Sequence, residues 1–302
     1  MRALAAEVAR YAQADANVLI TGETGVGKDL VARTLHQLSD RRQHPFVIVD
    51  CPGLVPTLVE SELFGHERGA FTDATLARPG RFEMAGEGIV YLDRVDELPL
   101  DGQAKLLRLV EHKQVERLGS SVVVPIRARV IASASRDIEQ AVREGHFRMD
   151  LFHRLRVLPL RVPALRDRAG DIPLLARRLV SEIADTSGRP APALSGDALE
   201  ALASYDWPGN ARELRHVLEH AMMSADLATI TAADLPPTLV SPERIASGSG
   251  AARPTLEDLE RQYIAFILRE TRGNQTRAAK LLGISRKALW EKRKRFGLTI
   301  DD

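Results

Sequence analysis

A single cysteine, Cys51, stands in 302 residues, which excludes an intrachain disulfide and points to a reducing compartment. Cys51 follows an apolar run, so it is expected to be an inert core thiol. Long apolar stretches are lacking too, and none approaches the roughly 18 residues that a membrane span requires. The opening MRALAAEVARYA spaces Leu4, Val8 and Tyr11 like an amphipathic helix and has no signal-peptide core, so a cytoplasmic protein without membrane partners is expected. Neither sign of charge is in excess: the formal net charge is +1, which as an average implies no polyanionic partner. Internal repeats and low-complexity tracts are absent as well.

What is present is an ordinary globular composition, 44% hydrophobic and 27% charged, in a chain long enough for two or three domains. The near-zero charge hides an asymmetry. Between Arg272 and Arg295 there are nine Lys or Arg against one acid, Glu291, which is a nucleic-acid signal.

From Asn17 to about Val162, the runs NVLIT, PFVIVD, GIVYLD, RVIASAS and RVLPLRV alternate with helical patterns. Near-continuous apolar strands separated by helices predict a parallel α/β sheet covered on both faces. Beyond Asp171 strand signals stop and helices take over. The segment 238–254, TLVSPERIASGSGAARP, lacks periodicity and reads as a linker. A strong amphipathic helix and two short helices follow. The expected organisation is an α/β nucleotide-binding body (1–165), a helical lid (166–237), the linker (238–254) and a small all-α domain (255–302).

LITGETGVGKD follows the first strand and opens a helix, with the spacing of a Walker A phosphate loop from Gly22 to Lys28. Its glycines let consecutive N–H groups curl round phosphate oxygens, while the helix start and Lys28 add positive potential. The cradle is Gly22, Glu23, Thr24, Gly25, Val26, Gly27, Lys28 and Asp29, and the cofactors implied are ATP and Mg²⁺. Asp29 stands where a generic loop has a Ser or Thr for the metal. Asp93, closing GIVYLD, is the expected metal-holding carboxylate, keeping in place the Mg²⁺ that bridges the β- and γ-phosphates.

ESELFGHERGAFTDA (60–74) resembles the signature loop of bacterial enhancer-binding proteins, the AAA+ activators of sigma-54 RNA polymerase. The likeness continues through RFEMAGEGIVYLD, LPLDGQAKLLRLVE, FRMDLFHRLRVLPLRVPALRDRAGDIPLLA and YDWPGNARELRHVLEH, and ends in GNQTRAAKLLGISRKALWEKRKRFGL, which resembles the family's Fis-type helix-turn-helix. Nearly the whole chain is covered, in the family's order. The receiver or ligand-sensing domain that many relatives carry is not part of the likeness, which leaves regulation in trans or a longer protein as alternatives.

The resemblance implies a P-loop AAA+ fold and an ATP site shared between neighbours in a homo-oligomeric ring, with six subunits the expected number. An acid after the lysine is usual in this family, so Asp29 fits. The catalytic set carried over is Asp93 with Arg148 and Arg154, which match the arginines that reach a neighbour's nucleotide and can neutralise charge on a transferred phosphoryl group. Arg212 matches the lid's nucleotide-sensing arginine. Gly69, Ala70, Phe71, Thr72, Asp73 and Ala74 match the loop that contacts the sigma factor, with Phe71 and Thr72 at its tip, so the sigma-54 holoenzyme is an implied partner.

Four features depart from the pattern. Asp73 replaces a glycine in the loop, though aspartate tolerates left-handed backbone better than most residues. Ala134 and Ser135 replace a Thr-Asn sensor pair. Arg94 stands in place of the glutamate that polarises the attacking water, and Asp50 in place of the asparagine that pairs with it. Loss of a positioned base typically slows a reaction about 10²- to 10⁴-fold, and Glu97, one turn away, would rarely lie in line with the γ-phosphate. Because the two replacements are opposite charges, Asp50 and Arg94 are expected to form an ion pair. Two functions follow: an ATP-binding regulator that remodels or contacts sigma-54 polymerase, or a non-hydrolysing, ATP-responsive DNA-binding regulator independent of sigma-54. An unrelated remodelling ATPase is set back by the Fis-like tail.

In that tail, Ala278 and Ala279 permit close helix packing, Leu281, Leu282 and Ile284 supply core, Gly283 turns the chain and Ser285 caps the second helix. Arg286, Lys287, Glu291 and Lys292 would face the major groove of double-stranded DNA, with Arg293, Lys294 and Arg295 on phosphates and the domains acting as dimers. Trp290, spaced from Ile284 and Phe296, is expected in the core. HVLEH (216–220) fits an inverted zinc-peptidase pattern, but it lies on the lid helix with no third ligand in view, and no metal is assigned to it.

Overall fold

The five apolar runs become five strands, β1 (Val18–Thr21), β2 (Phe46–Asp50), β3 (Ile89–Asp93), β4 (Arg129–Ala134) and β5 (Leu158–Arg161). They form one parallel sheet in the order β2-β3-β4-β1-β5. The computed structural model describes residues 1–54, 58–71, 74–135, 137–224, 228–236, 239, 264, 267–268, 271, 275, 278–279, 282, 284 and 286–296. These pack as two units: Met1–Arg168 with Asp206–Leu214, and the described residues of 169–205 and from 215 onward. Residues 240–254 of the expected linker, together with Thr72, Asp73 and Ser285, lie outside the described residues.

In the first unit the helices are α1 (Arg2–Ala12), α2 (Lys28–Leu38), α3 (Val59–Phe64), α4 (Arg81–Ala85), α5 (Leu100–His112), α6 (Ile138–Arg143) and α7 (Met149–Leu155). The inner strands β1, β3 and β4 are buried almost throughout because both faces are covered, whereas Ile48 of the edge strand β2 is 40% exposed. Val90 and Leu92 of β3 pack with Leu106 and Leu109 of α5 and Leu151 of α7. Ile89 and Tyr91, on the opposite face, pack with Leu4 and Val8 of α1 and Ala32 and Leu35 of α2. Each fully buried side chain of this size stabilises the fold by about 1.5–3 kcal/mol.

One buried charge ties α1 to the sheet. Arg129, 2% exposed, donates to the carbonyls of Ala16 (2.9 Å), Ala12 (3.2 Å) and Tyr11 (2.7 Å), so its guanidinium satisfies the acceptors left over where α1 ends. Burial lowers its pKa from the ordinary arginine value.

Two antiparallel ladders were not anticipated, Gly65–His66 with Arg78–Pro79 and Gln114–Glu116 with Val123–Pro125. At two and three residues they are too short for an alternating pattern to register. Arg117, beside the second, bonds both Glu83 (2.9 and 2.6 Å) and Glu67 (3.0 Å) at the foot of the 67–77 loop.

The second unit holds helices α8 (Ile172–Ser187) and α9 (Gly196–Ser204), the latter capped by the Ser195 hydroxyl. Helix α10 (Asn210–Ser224) starts among the residues of the first unit. Helix α11 (Arg286–Phe296) places Leu289 against Ile264, Ile267, Leu268, Ala278 and Ala279. Ala278 and Ala279 are buried, as their size predicted. Trp290 is not in this core. It is 56% exposed, because Leu289, one position earlier on the helix, takes the inward direction. Among the described residues no helix is long and apolar enough to cross a membrane.

Candidate functional site

In a parallel sheet all strand ends of one kind lie together, so Thr21, Asp50, Asp93 and Ala134 share the carboxyl edge, where α/β sheets bind ligands. β1 leads into residues 22–27, and α2 begins at Lys28. Gly25 (φ 79°) and Gly27 (φ 101°) take left-handed backbone that glycine allows at no steric cost. A Cβ on Gly27 would meet nothing within 4 Å, so that side of the loop is open. Among the described residues, the N–H groups of Gly25, Gly27 and Lys28 find no main-chain acceptor. Orphan donors round an open loop at a helix start fit a phosphate chain.

Lys28 is 8% exposed, and its ammonium donates to the carbonyls of Gly22 (2.7 Å) and Glu23 (3.1 Å), bridging the loop's own first turn. Burial pulls its pKa below the usual lysine value, Asp93, Asp96 and Asp29 oppose that, and the Arg94 charge adds to it. Asp93 Oδ1 accepts from the Ser133 hydroxyl at 2.5 Å and lies 3.1 Å from the Tyr91 hydroxyl. Tyr91 also donates to Asp29 Oδ1 at 2.7 Å. One phenol proton therefore sits between the acid after the lysine and the acid at the end of β3, and burial pushes that phenol well above its ordinary range. Asp29 is thus joined to Asp93 through a tyrosine, in a loop position where a hydroxyl is generic.

Arg94 and Asp50 meet. Arg94 Nη2 donates to Asp50 Oδ1 at 3.2 Å, as their opposite charges predicted, through one contact and not a fork. The register explains it: Asp50 lies directly across from Asp93, the residue before Arg94. Arg94 takes a left-handed backbone (φ 54°, ψ 58°), and its N–H donates to Ser133 Oγ at 2.9 Å. Ser135 N–H donates to Asp96 Oδ2 at 3.1 Å. Asp96 lies in a 3₁₀ turn, Val95–Glu97, and Glu97 is exposed at its end.

Asn210 was missed in the sequence. It is fully buried, with its amide donating to the Thr24 carbonyl (3.0 Å) and Glu23 Oε2 (3.2 Å) and its Oδ1 accepting from Leu165 N–H (2.7 Å). Arg166 completes the arrangement, gripping both Glu23 carboxylate oxygens at 2.9 and 2.5 Å. Two residues after Asn210, Arg212 lines a cavity of about 210 Å³ with Thr24, Gly25, Gly27, Lys28, Asp29, Asp93 and Arg94. Thus Thr24, Gly25, Gly27, Lys28 and Asp29 of the sequence-derived cradle come together with Asp93 and Arg212, while Gly22, Glu23 and Val26 do not line this cavity. Arg148 and Arg154 do not reach this cavity in their own chain: Arg148 forks onto Asp150 (3.1 and 2.8 Å) and Arg154 bonds Glu111 (3.0 Å).

In the 67–77 loop, Gly69 N–H donates to the Ala74 carbonyl and Ala74 N–H to that of Phe71. The Phe71 ring lies edge-on to His66, 5.0 Å between centroids, and the His66 ring nitrogen is 2.7 Å from Ser61 Oγ. The Cys51 thiol is 3% exposed and raised in pKa by burial and the neighbouring acids, in keeping with an inert core thiol. HVLEH lies on α10, where Glu219 accepts from Arg215 at 2.8 Å.

On α11, Arg286 and Arg295 are exposed, and Lys292 and Arg293 half-buried. The Arg295 guanidinium lies over the Phe296 ring at 5.6 Å. The side chains of Lys287, Glu291 and Lys294 lie outside the description, as does Ser285.

Three family descriptions match the chain in order: sigma-54 interaction domain over residues 1–161, AAA+ ATPase lid domain over 166–251, and bacterial regulatory protein, Fis family, over 255–296. It is 42% identical over 313 residues to the DNA-binding transcriptional activator HyfR of Escherichia coli (strain K12), a match spanning 99% of this chain and 47% of that protein. With the sigma54-dependent transcriptional activator SfnR of Pseudomonas putida the identity is 41% over 308 residues, 94% of this chain and 83% of the relative. The chain thus spans between about half and four fifths of these two relatives. In structure it is similar to NtrX from Brucella abortus in complex with ADP (TM-score 0.74, 35% identity, 98% of this chain and 68% of that one). NtrX in complex with ATP is equally similar (TM-score 0.74, 34% identity, 99% and 68%).

Proposed function

The chain belongs to the family of sigma-54-dependent transcriptional activators, and on that premise we propose that it is a DNA-bound, ATP-responsive regulator of sigma-54 RNA polymerase. The observation that carries the nucleotide half is the convergence of Lys28, the open glycine loop, Asp93 and Arg212 on one cavity. The loop's N–H groups and Lys28 would hold the β- and γ-phosphates, and Asp93 would hold Mg²⁺, which when bound offsets phosphate charge. A cavity of about 540 Å³ beside Gly22 and Glu23, lined also by Glu7, Val162 and Ala164, offers space for the nucleoside.

Arg148 and Arg154 would leave Asp150 and Glu111 to reach a neighbour's nucleotide in a hexameric ring. Both are exposed, at 41% and 60%, and such pairs are worth little, so exchange is easy. Phe71 and its loop would contact the sigma factor, and the exposed cations of α11 would take DNA phosphates. Titration of the full chain with a fluorescent ATP analogue tests the nucleotide reading. Saturable binding in the wild type that disappears in Lys28→Ala is expected, and equal affinity of the two proteins defeats the proposal.

A second reading has its own support, the Arg94–Asp50 contact. A guanidinium stays protonated and cannot take a proton from water. In this reading ATP binds and is hydrolysed slowly or not at all, so the chain acts by occupancy and not by turnover.

A further inference from the structure

Arg94 does more than fill a vacated position. It lines the same cavity as Lys28, Gly25, Gly27 and Arg212. Its backbone is held, with the N–H on Ser133 and a left-handed φ fixing where the side chain leaves β3. Its guanidinium is held far less firmly, by one 3.2 Å hydrogen bond to Asp50, with the two side chains 45% and 59% exposed. An exposed, singly bonded ion pair contributes little. A guanidinium has five N–H donors, and a terminal phosphate can take two of them at once with more charge than a carboxylate carries. The Arg94 charge is already felt at the Lys28 ammonium, the group meant for the β- and γ-phosphates.

We propose that Arg94 distinguishes ATP from ADP in this chain, exchanging Asp50 for the terminal phosphate when the triphosphate binds. This rests on the ATP reading above. ADP has no group to draw Arg94 away, so the Asp50 contact persists with ADP and is lost with ATP. Position 94 thereby reports the nucleotide state without a proton transfer, and Asp50 competes with the γ-phosphate.

Calorimetric titration of the full chain with Mg²⁺ and either ADP or the β,γ-imido analogue of ATP tests this. The wild type should bind the analogue tighter than ADP by on the order of tenfold. Arg94→Gln should remove that preference while leaving ADP affinity within about twofold, which also shows that the variant folds. Arg94→Lys should retain part of it, and Asp50→Asn should tighten the analogue alone, since its competitor is weakened. An undiminished preference in Arg94→Gln, or weaker analogue binding in Asp50→Asn, overturns the exchange while leaving ATP binding intact. If neither nucleotide binds the wild type, the ATP reading fails and takes this proposal with it.

Discussion

Gly25 and Gly209 lie so close that a Cβ on Gly25 would be 2.2 Å from the Gly209 carbonyl oxygen. The phosphate loop is thus packed against the turn that begins α10, and Ala211 N–H donates to the Gly25 carbonyl at 3.0 Å. Gly25→Ala meets both this clash and a left-handed φ of 79°. We expect it to lower stability by about 1–3 kcal/mol and to remove nucleotide binding. Thermal melting with and without the ATP analogue checks this, and a variant that melts and binds like the wild type contradicts the packing.

The Arg94–Asp50 pair invites a double-mutant cycle. Given the exposure of both partners, their coupling in stability should be below about 1 kcal/mol. Turnover should behave differently. Arg94→Glu with Asp50→Asn should gain phosphate release over the wild type, whereas Arg94→Glu alone places two carboxylates together and should gain less. Additive effects on turnover would rule out the pairing, and brisk hydrolysis by the unchanged protein would refute the inference that the chain lacks a base with Arg94 in the glutamate's place.

The exposed indole on α11 supplies an optical probe. The chain has two tryptophans, Trp207 at 0% and Trp290 at 56% exposure. Duplex DNA should alter the emission and acrylamide accessibility of the wild type, and Trp290→Phe should abolish that change. Emission indifferent to DNA at saturation would place the indole away from the nucleic acid.

The logarithm of the DNA affinity should fall linearly with the logarithm of salt concentration, and Arg295→Ala should reduce the slope by about 0.9 if that side chain neutralises one phosphate. A gel-shift series over salt measures it. Binding indifferent to salt would mean that the exposed cations of α11 are merely solvated.

Contact with sigma-54 should depend on the triphosphate analogue, vanish in Phe71→Ala and survive Asp73→Gly. Pull-down with purified sigma factor decides this. A complex formed by Asp73→Gly and not by the wild type would show that the aspartate prevents the contact.

Local chemistry made much of this legible beforehand. The phosphate loop could be read because its function needs glycines and a lysine at fixed spacing along one stretch of chain. The Asp50–Arg94 contact was legible because two departures of opposite charge fell at positions expected to face each other. Asn210 and Arg166 were not, since their partner Glu23 is 187 and 143 residues away, and no local pattern records that distance. The Tyr91 bridge between Asp29 and Asp93 likewise needs a helix start and a strand end brought side by side. Trp290 was misplaced for a narrower reason. Helical spacing defines a stripe about as wide as two neighbouring residues, and Leu289 filled the inward half of it.

The three carbonyls held by Arg129 bear on how this protein can be trimmed for the bench. Helix α1 looks dispensable, being the first element and outside the sheet. Yet removing residues 1–16 would take away all three acceptors of Arg129 and, with Leu4, Val8 and Ala12, the apolar cover over Ile89, Tyr91 and Ile131 on that face of the sheet, at about 25 cal/mol for each Å² of apolar surface newly exposed. A shortened version of the first unit should therefore start at or before α1.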